Sequence, residues 1–133
     1  MEEKQDLMTM SRQIKIGFIG FGKVATEFSK GFQQSGLLEV WAYDKILEDP
    51  LQKSKMQKRA GEFNVKLVGD IASLIEECEI ILSTVTVDAA IEVAKQSALF
   101  LGKRNTYADL NSTSPGTKKE IALIIGKTRA NFV

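Results

Sequence analysis

Gly20, Gly22 and Ala25 stand in the spacing G-x-G-x-x-[GA], directly after the apolar run IKIGFI and at the head of the amphipathic stretch KVATEFSKGFQQ. That spacing suits a turn that lets backbone approach a pyrophosphate. The first glycine permits the tight turn, the second leaves room for the phosphates, and a small third residue lets a helix lie close to its strand. The free N–H groups and positive dipole end of the helix then face the anion. Lys23 adds a charge at the same place, and Val24 is counted with the turn as a candidate cofactor residue. Asp44 follows Gly22 by 22 residues, at the end of the next apolar run. A carboxylate there accepts hydrogen bonds from adenosine ribose hydroxyls and disfavours a 2′-phosphate, so NAD is favoured over NADP. Lys45 beside it would tolerate that phosphate, which keeps NADP open.

A second polar constellation lies in ADLNSTSPGTKKEIA, residues 108–122. Asn111, Ser112 and Thr113 follow a strand-like run, where an open α/β sheet binds its ligands, and are candidate substrate contacts near the nicotinamide end. Lys118 and Lys119, in the first turns of the following helix, read as a solvated face. Two other phosphate or nucleoside readings fit less well. A methyltransferase turn usually carries an acid two positions before its first glycine, where this chain has Phe18, and a Walker loop needs a G-K-[ST] ending that is missing.

Composition removes whole classes of chemistry. The 133 residues carry 18 Lys plus Arg against 17 Asp plus Glu, so no general attraction to nucleic acid or anionic membrane is expected. With no histidine and one cysteine, zinc clusters, disulfides and Ser-His or Cys-His nucleophiles are excluded, and no metal site is expected. Cys78 falls on an apolar helical stripe and reads as core. Cysteine usage points to the cytoplasm. Residues 1–13 are polar and mixed in charge and read as a loose tail, and no stretch approaches the ~20 apolar residues of a membrane span.

These residues need a scaffold of alternating strands and helices, and the pattern from Ile14 onward supplies one. Strands are predicted at 14–19, 39–44, 65–68, 79–85 and 105–110, with IILSTV apolar enough to be covered on both faces. Helical stripes run through Val24, Phe28 and Phe32, through Ile71, Leu74, Ile75 and Cys78, and through Ile91, Ala94, Ala98 and Leu101, with Gly102 as a left-handed cap. Residues 50–60 make a poorer helix anchored by Leu51 and Met56. Ser114 caps a last helix, with Pro115 at its first position and Ile121, Ile124 and Ile125 on its apolar face. The closing NFV predicts a chain cut at the start of a sixth strand. The fold class expected is α/β: a Rossmann-type doubly wound parallel sheet over residues 14–133, with helices on both faces.

Three stretches together resemble the cofactor domain of the β-hydroxyacid dehydrogenases, the superfamily that includes 3-hydroxyisobutyrate and 6-phosphogluconate dehydrogenases. IGFIGFGKVA is similar to their N-terminal signature, EIILSTVTVDAAIEVA to their fourth strand and next helix, and DLNSTSP to their D-x-S-T-x-x-P loop, with Asn111 where serine is usual. The resemblance implies an oxidoreductase passing hydride between a hydroxy acid and NAD(P), with Val85 and Thr86 beside a cofactor ribose and Asn111 and Ser112 holding substrate. It also implies that the catalytic lysine and a helical substrate and dimerisation domain lie beyond Val133. The fragment would then bind nucleotide without turnover, and the full-length protein would be a homodimer. The competing expectation is a stand-alone NAD(H)-sensing module without catalysis.

Overall fold

The computed structural model describes residues 13–34 and 36–133; the proposed N-terminal tail, apart from Gln13, lies outside them. Six parallel strands, β1 (Ile14–Ile19), β2 (Leu38–Tyr43), β3 (Val65–Leu67), β4 (Ile80–Ser83), β5 (Thr106–Asp109) and β6 (Asn131–Phe132), form one sheet in the order β3-β2-β1-β4-β5-β6. The chain direction across the sheet therefore reverses between β1 and β4, as in a doubly wound Rossmann sheet. Five helices connect the strands: α1 (Lys23–Gln33), α2 (Pro50–Glu62), α3 (Ile71–Glu77), α4 (Ala90–Ala98) and α5 (Pro115–Gly126).

Both faces of the sheet are covered, which is why its strands carry so few polar positions. On one side α1 and α2 place Ala25, Met56 and Ala60 against Ile16, Phe18, Val40, Ala42 and Val65. On the other, α3, α4 and α5 place Leu74, Ala94, Ile121 and Ile125 against Ile19, Ile81 and Tyr107. Successive β1 residues face opposite layers. Gly17 is the exception in kind: a Cβ there would stand 2.8 Å from Leu74 Cγ and 3.0 Å from Cys78 Sγ, so its missing side chain lets α3 seat on the strand.

The helix starts follow local chemistry. Asp49 accepts a hydrogen bond from Leu51 N, Asp70 from Ser73 N and Ser114 from Thr117 N, and Pro50 and Pro115 occupy the first turns of their helices. Four expectations need correction. The stripe of α1 is only partly as expected: Phe32 stacks on Phe18 and Phe28 packs tilted against it, but Ala25, Thr26 and Ser29 are the buried positions and Val24 is 52% exposed. In α2, Met56 anchors the helix but Leu51 is 80% exposed, and Ala60 takes its place in the core. Gly102 is not a left-handed cap: among the described residues the positive-φ glycines are Gly20 and Gly36, and Asn64, just past α2, has φ 55°. Lys118, expected on a solvated face, is ion-paired with Asp109 at 2.6 Å.

Candidate dinucleotide cleft

Parallel register brings Tyr43, Ile19, Ser83 and Asp109 level across four adjacent strands. The residues that follow each of them turn away from the sheet together. Between the ends of β1, β2 and β4 they line a cleft of ≈ 550 Å³. Gly20, Gly22, Lys23, Val24, Asp44, Lys45, Val85 and Thr86 all line it. Ala25 does not; it is fully buried beneath the turn, in the core under α1.

The glycine turn is held from three sides. Gly20 N donates to Tyr43 O at 2.7 Å, and Thr84 Oγ1 donates to Gly20 O at 2.6 Å. Gly20 adopts φ +94°, and a Cβ on it would lie 2.3 Å from Thr84 O, so both backbone conformation and space require glycine. Phe21, fully buried, donates its N–H to Asp44 Oδ2 at 2.8 Å and accepts from Arg59 at 2.7 Å. Asp44 Oδ1 accepts from Ile46 N at 2.9 Å. The carboxylate expected to meet a ribose therefore also ties the turn to the end of β2, with lone pairs left on both oxygens.

Gly22 differs from Gly20. A Cβ there would meet nothing within 4 Å and its φ is an ordinary −94°, so neither packing nor backbone strain explains the glycine. It is the N-cap of α1 and offers no side chain to that helix's first N–H groups, whereas α2, α3 and α5 each have a capping side chain. The first turn of α1 thus presents donors and positive dipole to the cleft, beside the exposed Lys23.

Motif reasoning missed the rest of the lining. Ile19, Tyr43, Ile71 and Thr84 come from strand ends and the start of α3, and Ala89, Glu92, Val93 and Gln96 from the region of α4. Thr84 could have been found by aligning β4 with β1, since it follows Ser83, the partner of Ile19. The α4 residues carry no local signal. Burial raises the Tyr43 hydroxyl above its usual 10.0, and the nearby carboxylates Glu48, Asp44 and Asp70 push the same way, so it stays a neutral donor.

Asn111, Ser112 and Thr113 do not line this cleft. Asn111 is buried and its amide is used internally: Oδ1 accepts from Val85 N at 2.8 Å, while Nδ2 donates to Ser83 Oγ at 3.0 Å and to Asp109 Oδ1. Ser112 is exposed, and Thr113 Oγ1 is buried without a hydrogen-bond partner among the described residues. Cys78 is fully buried and its thiol is pushed up to about 12, first by burial and then by Glu77, which makes it unreactive. Among the described residues no cluster of acidic or sulfur side chains could hold a metal ion, and no helix is long and apolar enough to cross a membrane.

A doubly wound parallel sheet with an uncapped, glycine-led helix at its switch point defines a Rossmann-type domain. The chain belongs to the family described as NADP oxidoreductase, coenzyme F420-dependent, which it matches over residues 15–104. A 28.5 kDa protein of Methanothermus fervidus, encoded upstream of its 7S RNA, is 32% identical over 116 residues, covering 87% of this chain and 43% of that protein. A conserved protein of Sinorhizobium meliloti 1021 has the same fold with a TM-score of 0.85 at 32% identity, covering 92% of this chain and 40% of its own. The fold is also shared with A. aeolicus prephenate dehydrogenase, solved with NAD+ and hydroxyphenyl propionate (TM-score 0.72, 19% identity, 89% and 40% coverage). Mycobacterium tuberculosis 3-hydroxyisobutyrate dehydrogenase is a further neighbour (TM-score 0.67, 14% identity, 90% and 39% coverage). The chain spans about two-fifths of the length of each of these proteins.

Proposed function

We propose that the cleft binds a nicotinamide dinucleotide with its pyrophosphate over Gly22 and the start of α1 and its adenosine ribose on Asp44. In this reading the chain is the cofactor-binding part of a longer dehydrogenase that moves hydride between a hydroxy acid and the nicotinamide. The hydride chemistry is the cofactor's. Gly20, Gly22 and the α1 N–H groups orient the phosphates, Asp44 accepts from the ribose, and Val85 and Thr86 form the opposite wall. Lys45, next to Asp44 in the chain, would accept the extra phosphate of NADP, and Lys23 adds a positive charge at the start of α1.

Gly22 is the observation that carries this reading. A glycine that the protein's own packing does not need, at an uncapped helix start on a cleft, is explained by a ligand backbone that must come close. The hydroxy-acid assignment rests on the sequence resemblance of DLNSTSP, with exposed Ser112 as the substrate contact and buried Asn111 as its support.

Titrating the chain with NADH, NADPH and S-adenosylmethionine, and following nicotinamide fluorescence and heat of binding, tests the proposal. NADH or NADPH should bind and S-adenosylmethionine should not. Gly22→Val should abolish binding while leaving thermal unfolding within a few degrees of wild type, since its side chain enters open space. Retained NADH affinity in Gly22→Val would sink the pyrophosphate assignment.

A further inference from the structure

Lys118 lies on α5, outside the cleft, yet it heads a chain of polar contacts that ends on the cleft wall. Its Nζ donates to Asp109 Oδ2 at 2.6 Å and to Asp109 O at 2.9 Å. The Asp109 side chain is only 1% exposed, and the Lys118 side chain is 38% exposed. A carboxylate that deep needs a counter-charge, and Lys118 supplies it. Asp109 Oδ1 in turn accepts from Asn111 Nδ2 and, at 3.3 Å, from Asn111 N.

An ionised carboxylate can only accept, so it draws the NH₂ side of the Asn111 amide toward itself. Ser83 Oγ lies 3.0 Å from the same nitrogen. The amide oxygen is thereby turned the other way, onto Val85 N. Val85 is the second residue past the end of β4, where strand pairing has stopped, and its N–H is held by this side chain rather than by the sheet. Its Cγ1 would lie 3.1 Å from a Cβ at Gly20, so Val85 stands directly against the glycine turn.

We propose that Lys118 and Asp109 are positioning residues for the dinucleotide cleft: their ion pair sets the orientation of the Asn111 amide, and Asn111 fixes the Val85–Thr86 wall against the glycine turn. This rests on the dinucleotide reading for its ligand, and on the contacts alone for its mechanical part. It also assigns Asn111 to the cofactor side, where sequence reasoning placed it with substrate.

Amide hydrogen exchange at Val85 and NADH affinity, measured on the same chain, test it. In Lys118→Met, Val85 exchange should accelerate relative to Ile81 in the middle of β4, and NADH affinity should fall ~5- to 10-fold, the scale of one ordinary hydrogen bond. Lys118→Arg, which keeps the charge and donors, should recover much of both. Asp109→Asn, which no longer dictates which end of the Asn111 amide faces it, should reproduce the Lys118→Met pattern. Lys66→Met breaks an exposed pair with Glu39 away from the cleft and should move neither readout. Should Lys118→Met fail to fold, Lys118→Gln, which keeps a donor without the charge, carries the same two readouts.

The proposal falls if Lys118→Met leaves both readouts at wild type, if affinity drops with no change at the Val85 amide, or if Lys66→Met moves them equally. Wild-type chain that binds neither NADH nor NADPH would overturn the dinucleotide reading instead, and Val85 exchange in Lys118→Met would still decide the contact chain by itself.

Discussion

Asp44 has four lone-pair sites. Each oxygen already accepts one backbone N–H, from Phe21 and Ile46, and each has one site left to accept from a ligand hydroxyl. Removing the carboxylate therefore cannot be a pure binding change. Phe21 is fully buried, so its N–H would be left without an acceptor. Asp44→Ala is expected to lower unfolding free energy by about 1–3 kcal/mol, the usual cost of an orphaned buried donor that had a charged partner. Urea denaturation with and without NADH checks this. The loss should be present in the ligand-free protein and grow with NADH, because the variant also forfeits its share of ligand stabilisation. Equal stability of ligand-free wild type and variant would mean that Asp44 does not hold the turn. The spacing from Gly22 made Asp44 findable in the sequence, but its bond to Phe21 was not, since nothing local links residue 44 to residue 21. The same holds for Lys118 and Asn111: their partners Asp109, Ser83 and Val85 converge only when β4 and β5 pair. Only one of these partners, Asp109, lies within about ten residues of either of them along the chain.

The elements themselves were legible because their physics is local. The strands appear within two residues of their expected ends, as apolar runs buried on both faces should, and Ser114 and Pro115 mark the start of α5. What local pattern could not decide is which face of a helix the core takes: α1 seats Ala25 and Ser29 on the sheet, and leaves Val24 to the cleft, because small residues allow close approach beside the turn. The seat of α3 has a pH signature. Cys78, which ends α3 over Gly17, is pushed from an ordinary 9.0 up to about 12, chiefly by burial, and Tyr107 on β5 from 10.0 up to about 12 for the same reason. Both groups stay protonated in the folded chain at pH values where the unfolded chain releases their protons. Their contribution is therefore intact below pH 9 and is lost as pH climbs toward 12. Between pH 9 and 10, where Cys78 dominates, the slope should approach ~1.4 kcal/mol per pH unit. Cys78→Ala should be less stable at neutral pH, from the lost packing, yet show a flatter slope in that window. Denaturant titrations at intervals across it measure both, and an unchanged slope would show that Cys78 is not the titrating group.

At the scale of the whole molecule, the reversal of strand order between β1 and β4 is what opens a cleft at all. Everywhere else along the strand ends, neighbouring connections cross on the same side of the sheet; here α1 and the region of α4 leave from opposite sides, and their diverging starts leave a gap above Ile19. A ligand in that gap touches segments from the first third of the chain and from its middle, so occupancy should couple to global stability rather than to one loop. Under two-state unfolding, a ligand at 100 times its dissociation constant adds about 2.7 kcal/mol. For a domain of this size that corresponds to a rise in Tm of roughly 10 °C. NADH or NADPH should give that shift, rising by a further constant increment with each tenfold increase in concentration, because the linkage is logarithmic. AMP, which lacks the pyrophosphate bridge over Gly22, should give a smaller shift at the same concentration. If AMP matches the dinucleotide at every concentration, the second phosphate and the nicotinamide half contribute nothing to binding and the cleft is a mononucleotide site alone. If both shifts saturate near zero, the gap at the switch point is not a dinucleotide site.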